Sequence, residues 1–225
     1  MQVVYEDNHV IIVSKQSGEI VQGDKTGDRT LADDVKAYIK EKYAKPGDVF
    51  LGVVHRLDRP VSGLVVFART SKALARLNRM FAEGEVHKTY WAIVALSPSL
   101  AADDGQWRDA EHWLTRNEQQ NKAYAHDHEV PRSKRARLRY RVISRGDRYA
   151  LVEVQLMTGR HHQIRCQLSA LGFPIKGDLK YGARRSNPDG SISLLARRVE
   201  FVHPVSRQPI VAEAPLPDDG LWKKF

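Results

Sequence analysis

The chain has 225 residues, with 36 Lys and Arg against 27 Asp and Glu, a formal charge of +9. Hydrophobic residues make up 42% and charged residues 28%, which excludes a disordered tail protein, and the length supports a sizeable core without staples. The basic excess points to a polyanionic partner, and the single cysteine, Cys166, excludes an intrachain disulfide or a zinc site built on two thiolates.

Val3–Tyr5 and Val10–Val13 are short β-rich runs around the turn dipeptide Asp7-Asn8, so they read as a hairpin. Ser17 to Arg29 reads as a loop, and a helix is expected after Thr30, a candidate N-cap, with Leu31, Val35, Tyr38 and Ile39 at helical spacing. Val53-Val54 and Leu64–Phe67 read as strands. Between them His55 to Gly63 forms a loop that holds Pro60 and Gly63. A second helix is expected from an N-cap at Ser71 to Gly84, with Leu74, Leu77 and Phe81 as its apolar stripe. Tyr90–Leu96 reads as a strand and 106–131 as a polar, irregular insertion or mobile loop. In Arg135–Val142 the basic residues Arg135, Arg137, Arg139 and Arg141 alternate with apolar ones, so a strand puts all four arginines on one face. Tyr149–Leu156 is a further strand, a helix is expected from about 160 to Gly172, and Leu194–Phe201 is a late strand before a Pro-containing tail from His203. Strands predominate without regular βαβ alternation. The expected fold is α+β, a largely antiparallel mixed β-sheet with flanking helices, in a single domain over 1–225.

Several motifs fail. Gly18-x-x-x-x-Gly23-Asp24 and Gly172-x-x-x-x-Gly177-Asp178 approach a P-loop, but Asp stands where the phosphate-binding Lys belongs. No Gly-x-Gly supports a dinucleotide site. His126-x-His128 and His161-His162 lack clustered Cys or carboxylate partners, so no metal is expected. The N-terminal stretch has no basic n-region and is interrupted by Glu6 and Asp7, so no signal peptide is read there. No apolar run approaches the ~18 residues of a membrane span. The expected location is the cytoplasm, without membrane contact.

The loop His55-Arg56-Leu57-Asp58-Arg59-Pro60-Val61-Ser62-Gly63 concentrates unusual features. Asp58 lies between Arg56 and Arg59, and cations favour the ionised carboxylate, which then serves as nucleophile or base. An Asp between arginines is equally often a structural ion pair, so composition leaves both readings open.

The pattern His55-Arg56-Leu57-Asp58-x-x-x-Ser62-Gly63 resembles the signature of RluA-type RNA pseudouridine synthases. Other blocks agree with it: Tyr5-Glu6-Asp7-Asn8 with Val13-Ser14-Lys15 and Gly18, Lys88-Thr89-Tyr90-Trp91-Ala92, Thr158 to Arg165, Gly177-Asp178-x-Lys180-Tyr181-Gly182, and Phe201-Val202-His203-Pro204 with Ala214-Pro215-Leu216-Pro217. Val61 stands where Thr is usual, and Gln16-Ser17 replace Pro-Ala; neither departure is expected to touch the catalytic set. Many relatives carry an N-terminal S4-type RNA-binding domain, and none is expected here, because the chain begins directly with the hairpin.

The resemblance implies isomerisation of uridine in RNA, a reaction that needs no cofactor or metal, on a base taken out of the stack. It implies Asp58 as the catalytic residue, Arg165 as its ion-pair partner, Tyr90 as the aromatic stacked on the flipped uracil, and Ile164 as the apolar floor beneath it. It implies that Arg56 fills the gap left by the flipped base or contacts phosphate, while His55 orders the loop. The face of Arg135, Arg137, Arg139 and Arg141, with Lys134 beside it, reads as an RNA backbone track, since like charges on one face repel and a polyanion relieves that cost. The expected partner is a tRNA or rRNA stem-loop, met by a monomer with no protein partner implied. The alternative is a non-catalytic RNA-binding or RNA-folding protein on the same scaffold. A glycosidase ranks last, because only one carboxylate stands out.

Overall fold

The computed structural model describes residues 1–23, 27–100 and 105–225, so Asp24 of the first P-loop-like segment lies outside the described residues. The chain divides into two compact units, Met1–His87 with Ala196–Pro215, and Lys88–Leu195 with Leu216–Phe225.

In the first unit, β1 (Gln2–Glu6) and β2 (Val10–Lys15) form the expected antiparallel hairpin. Asp7 makes the turn: its Oδ1 accepts from the backbone N–H of His9 at 2.7 Å and of Val10 at 2.8 Å, while Oδ2 accepts from the Tyr5 hydroxyl at 2.9 Å. Every residue of β2 is buried, as in a strand covered on both faces. It pairs antiparallel with β4 (Ser62–Ala68), from Val10 opposite Ala68 to Lys15 opposite Gly63, and β3 is the two-residue Gly52–Val53. Helix α1 (Leu31–Lys42) starts at the expected cap, where Thr30 and Asp33 close a capping box. Its Leu31, Val35 and Ile39 pack on Ile11 and Val13 of β2 and Val65 and Phe67 of β4. Helix α2 (Ser71–Glu83) ends at left-handed Gly84 as expected, but its N-cap is Thr70, whose hydroxyl accepts from Ala73 N, and not Ser71. Strand β10 (Leu194–Val202) lies beside β4 and pairs antiparallel with β11 (Pro209–Glu213), a strand within the segment expected only as a closing tail.

In the second unit the order is β5 (His87–Ala95), β9 (Tyr149–Leu156), β8 (Lys134–Arg145), β6 (Arg108–Asn117), β7 (Lys122–His126), each pair antiparallel. Segment 106–131, expected to be irregular, instead supplies the hairpin β6–β7. Its alternation is real, but the inward set Ala110, His112 and Leu114 is too weakly apolar to show as a period of two. Helix α3 (Gln163–Ala170) covers this hairpin through Cys166, against Leu114, Ala123, Ala136 and Tyr181. Two glutamines of α3 seat it. The Gln163 side chain accepts from Thr158 Oγ1 and Arg160 N and donates to Arg137 O, at 2.8–3.0 Å. Gln167 Nε2 donates to His112 Nδ1 at 3.0 Å and reaches the carbonyls of Ala110 and Ala136. No described helix is long and apolar enough to cross a membrane.

Candidate active site

Asp58 opens a four-residue turn closed by Val61 N donating to Asp58 O at 3.0 Å. Each carbonyl of that turn has a donor. Arg59 O accepts from Gly18 N at 2.9 Å, Pro60 O from Ser17 Oγ at 3.2 Å, and Val61 O from Lys15 Nζ at 2.6 Å. A segment with no β-ladder is thereby held as firmly as a strand, which is what a positioned carboxylate requires. Ser17, a departure from the family pattern expected to leave the catalytic set untouched, bonds directly to the loop carrying Asp58.

Lys15 is the central fastener, and the sequence reading gave it no role. It is fully buried, and its ammonium donates to the carbonyls of Gln16, Arg59 and Val61, using three N–H groups on three acceptors. Burial pushes its pKa down to about 8, against the opposing pull of Glu19 and then of Asp58. The sequence signals are its place in the Val13-Ser14-Lys15 block and at the end of an apolar strand, and the latter reads equally well as a solvated strand end.

His55 is bonded to β4 and stacked on α2. Its Nε2 accepts from Val66 N at 3.0 Å, and its ring stacks on Phe81 of α2 with centroids 4.8 Å apart. Arg56 is exposed. Arg59 turns away toward the 17–29 loop, where it donates to Gly18 O at 3.1 Å and pairs with Asp28 at 2.9 Å. Gly63, with φ +115°, closes the loop against β10: a Cβ there would stand 2.4 Å from Ala196 O.

In the second unit, Tyr90 lies on β5, 7% exposed and opposite Val154 of β9. Ile164 and Arg165 open α3, both about 5% exposed. A buried guanidinium needs a partner, and Asp178 supplies one in bidentate form, accepting from Arg165 Nε at 2.7 Å and Nη2 at 2.9 Å. Asp178, which ruled out a P-loop in the sequence, here holds Arg165. Tyr181 completes the surround. Its ring centroid is 5.1 Å from the guanidinium carbon, its hydroxyl accepts from Ala123 N at 2.8 Å, and it meets His162 Nδ1 at 2.9 Å. Burial first, then the charge of Arg165, holds His162 far below its usual pKa, so the ring stays neutral beside the arginine. His162 has φ +52° at the N-cap of α3, an uncommon conformation that turns the chain into the helix.

Arg135, Arg137, Arg139 and Arg141 do share one face of β8, with Ala136, Leu138, Tyr140 and Val142 buried beneath. They do not stand as four uncompensated charges, however. Arg135 makes a bidentate pair with Glu111 at 2.8 and 2.9 Å, and Arg137 lies 3.5 Å from the same carboxylate. Arg141 pairs with Glu153 at 2.7 Å, and Arg139 donates to Gln155 at 2.8 Å. The guanidiniums of Arg139 and Arg141 also lie 4.7 Å from the Trp107 ring. Cross-strand partners on β6 and β9 thus remove much of the repulsion expected from β8 alone.

The sequence profile of the RNA pseudouridylate synthase family matches residues 9–170. The chain belongs to this family. Its members named as RNA pseudouridine synthases are isomerases, and the relatives are close across the chain. An uncharacterized RNA pseudouridine synthase of Bacillus subtilis, YlyB, is 33% identical over 97% of this chain and 70% of its own length. The ribosomal large subunit pseudouridine synthase D of Xanthomonas campestris is 34% identical over 97% of this chain and 67% of its own. Human RNA pseudouridylate synthase domain containing 4 shares the pseudouridine synthase fold, with a TM-score of 0.78 at 22% identity over 98% of this chain and 90% of that one. β2, the Asp58 loop, β5 and the start of α3 all fall within the family match.

Proposed function

We propose that the protein isomerises a uridine of large-subunit ribosomal RNA to pseudouridine, with Asp58 as the catalytic carboxylate. The observation that carries this is the fully bonded turn under Asp58, clamped by the buried ammonium of Lys15 on the carbonyls of Arg59 and Val61. A structural ion pair does not need a loop fixed through each of its carbonyls; a carboxylate that must meet a flipped nucleotide does. The reaction breaks the N1–C1′ bond, forms C5–C1′, releases the C5 proton and protonates N1, so it is redox-neutral and draws on no donor group. Asp58 supplies the electron pair as nucleophile or base. The family resemblance assigns Arg165 as the ion-pair partner of that carboxylate, Tyr90 as the aromatic stacked on the uracil and Ile164 as an apolar floor. Arg56, exposed on the same loop, fits the space left by the flipped base. Two relatives carrying the name of a ribosomal large subunit pseudouridine synthase support that RNA as substrate over tRNA.

The test is tritium release from uracil-5-tritiated large-subunit rRNA and, separately, tRNA, with wild-type protein beside Asp58→Ala. Release from rRNA that vanishes in the variant, with RNA binding retained, is the expected result. Release only from tRNA refutes the substrate assignment, and undiminished release by the variant refutes the role of Asp58.

A further inference from the structure

Resting on the RNA substrate class proposed above, we infer that the β6–β7 hairpin and the adjoining turn Leu179–Tyr181 form an RNA phosphate-binding surface, built by Arg116, Lys122 and Lys180. The stripe on β8 is interleaved with Glu111 and Glu153. Around the hairpin the balance differs. Segment 116–124 holds a single carboxylate, Glu118, and among the described residues none of Arg116, Lys122 and Lys180 forms an ion pair.

The three cations are brought together by the fold and not by sequence spacing. Arg116 stands opposite Ala123 in the β6–β7 register, and Ala123 N donates to the Tyr181 hydroxyl. Lys122 Nζ lies 5.4 Å from the ring centroids of both Tyr124 and Tyr181. Lys180 Nζ donates to Gln120 O at 3.2 Å and Asn121 O at 3.0 Å, carbonyls that bear no net charge, so it fastens the hairpin turn without losing its own charge. Arg116 and Lys180 are exposed, and both contribute to suppressing protonation of His162, so their field extends to the start of α3. Tyr124, exposed beside Lys122, offers a π-face to an unpaired base. Exposed cations without carboxylate partners, next to an exposed aromatic, fit a polynucleotide backbone better than an acidic protein surface, for which the aromatic has no comparable use.

The experiment compares wild-type protein with Arg116→Gln/Lys122→Gln and with Arg135→Gln/Arg137→Gln, by filter binding to deproteinised large-subunit rRNA from about 50 to about 300 mM salt. Lys180 is left intact because it also closes the turn, and thermal melts check folding. The hairpin variant should bind about tenfold more weakly at low salt and flatten the slope of log K against log salt by nearly 2, close to one per lost phosphate contact. Its tritium release at subsaturating RNA should fall in step with the lost affinity, and Arg116→Lys/Lys122→Arg should restore the slope. An unchanged slope and affinity in a folded hairpin variant overturns the inference, as does weakened binding at an unaltered slope. Wild-type protein that binds but releases no tritium refutes the proposed reaction and leaves the binding result standing.

Discussion

Gly63→Ala should be among the most damaging single substitutions in the chain. The new Cβ would lie 2.4 Å from Ala196 O, 2.5 Å from its N and 2.8 Å from its C, all backbone atoms that have no rotamer with which to yield. Relief requires β4 and β10 to part by most of an ångström, and overpacking of that kind costs about 1–3 kcal/mol. The φ of +115° adds a conformational cost of about 1–3 kcal/mol, because L side chains avoid that region. Together these give about 2–6 kcal/mol, a large part of the stability of an ordinary domain. Gly84→Ala is the matched control. Its φ is also positive, at +77°, but nothing lies within 4 Å of the added atom, so it should cost only about 1–2 kcal/mol. Urea titrations of both variants at constant m-value give the difference. The clash should also displace the Asp58 turn and depress tritium release beyond what lost stability explains. Equal destabilisation by the two substitutions would refute the argument that backbone approach, and not φ alone, demands glycine at position 63.

Lys15 links pH to activity and to stability with opposite signs. Its folded pKa of about 8 lies below the ordinary 10.5, so between those values the unfolded chain keeps a proton that the folded one has released. Stability therefore rises with pH across that window, by up to about 3 kcal/mol, while turnover falls above about pH 8 as the ammonium loses its charge and one donor. Residual turnover in Lys15→Met should lack that alkaline limb, and the same limb in the variant would exonerate Lys15. Asp178→Asn removes the bidentate carboxylate from the buried Arg165 guanidinium and should cost about 3–5 kcal/mol in urea unfolding, whereas Arg165→Met/Asp178→Leu should cost less than the single change. A single-variant loss below about 1 kcal/mol would contradict the desolvated pair.

Much of the fold is legible along the chain, since strand and helix periods are local. The β1–β2 hairpin, the Thr30 cap, the Gly84 stop and strand Tyr149–Leu156 all follow from residues within a few positions of one another. The β6–β7 hairpin escapes notice because its inward face uses alanine and histidine, whose burial is made favourable by Gln167 of α3 and not by their own hydrophobicity. β11 is missed because its pattern is short and begins with proline.

The site divides in the same way. The residue types on the Asp58 loop and at the start of α3, and the family they resemble, are properties of short motifs and can be read without a structure. What those residues touch is decided by contacts distant in sequence. Lys15 reaches across 46 positions to Val61 O, Arg165 across 13 to Asp178, and the arginines of β8 find their carboxylates on neighbouring strands. The sequence by itself determined most of the elements and the residue types of the short motifs, because period and turn chemistry act over a few residues. Only the tertiary structure decided which charges are compensated, because ion pairing depends on distances that strand register and helix docking set.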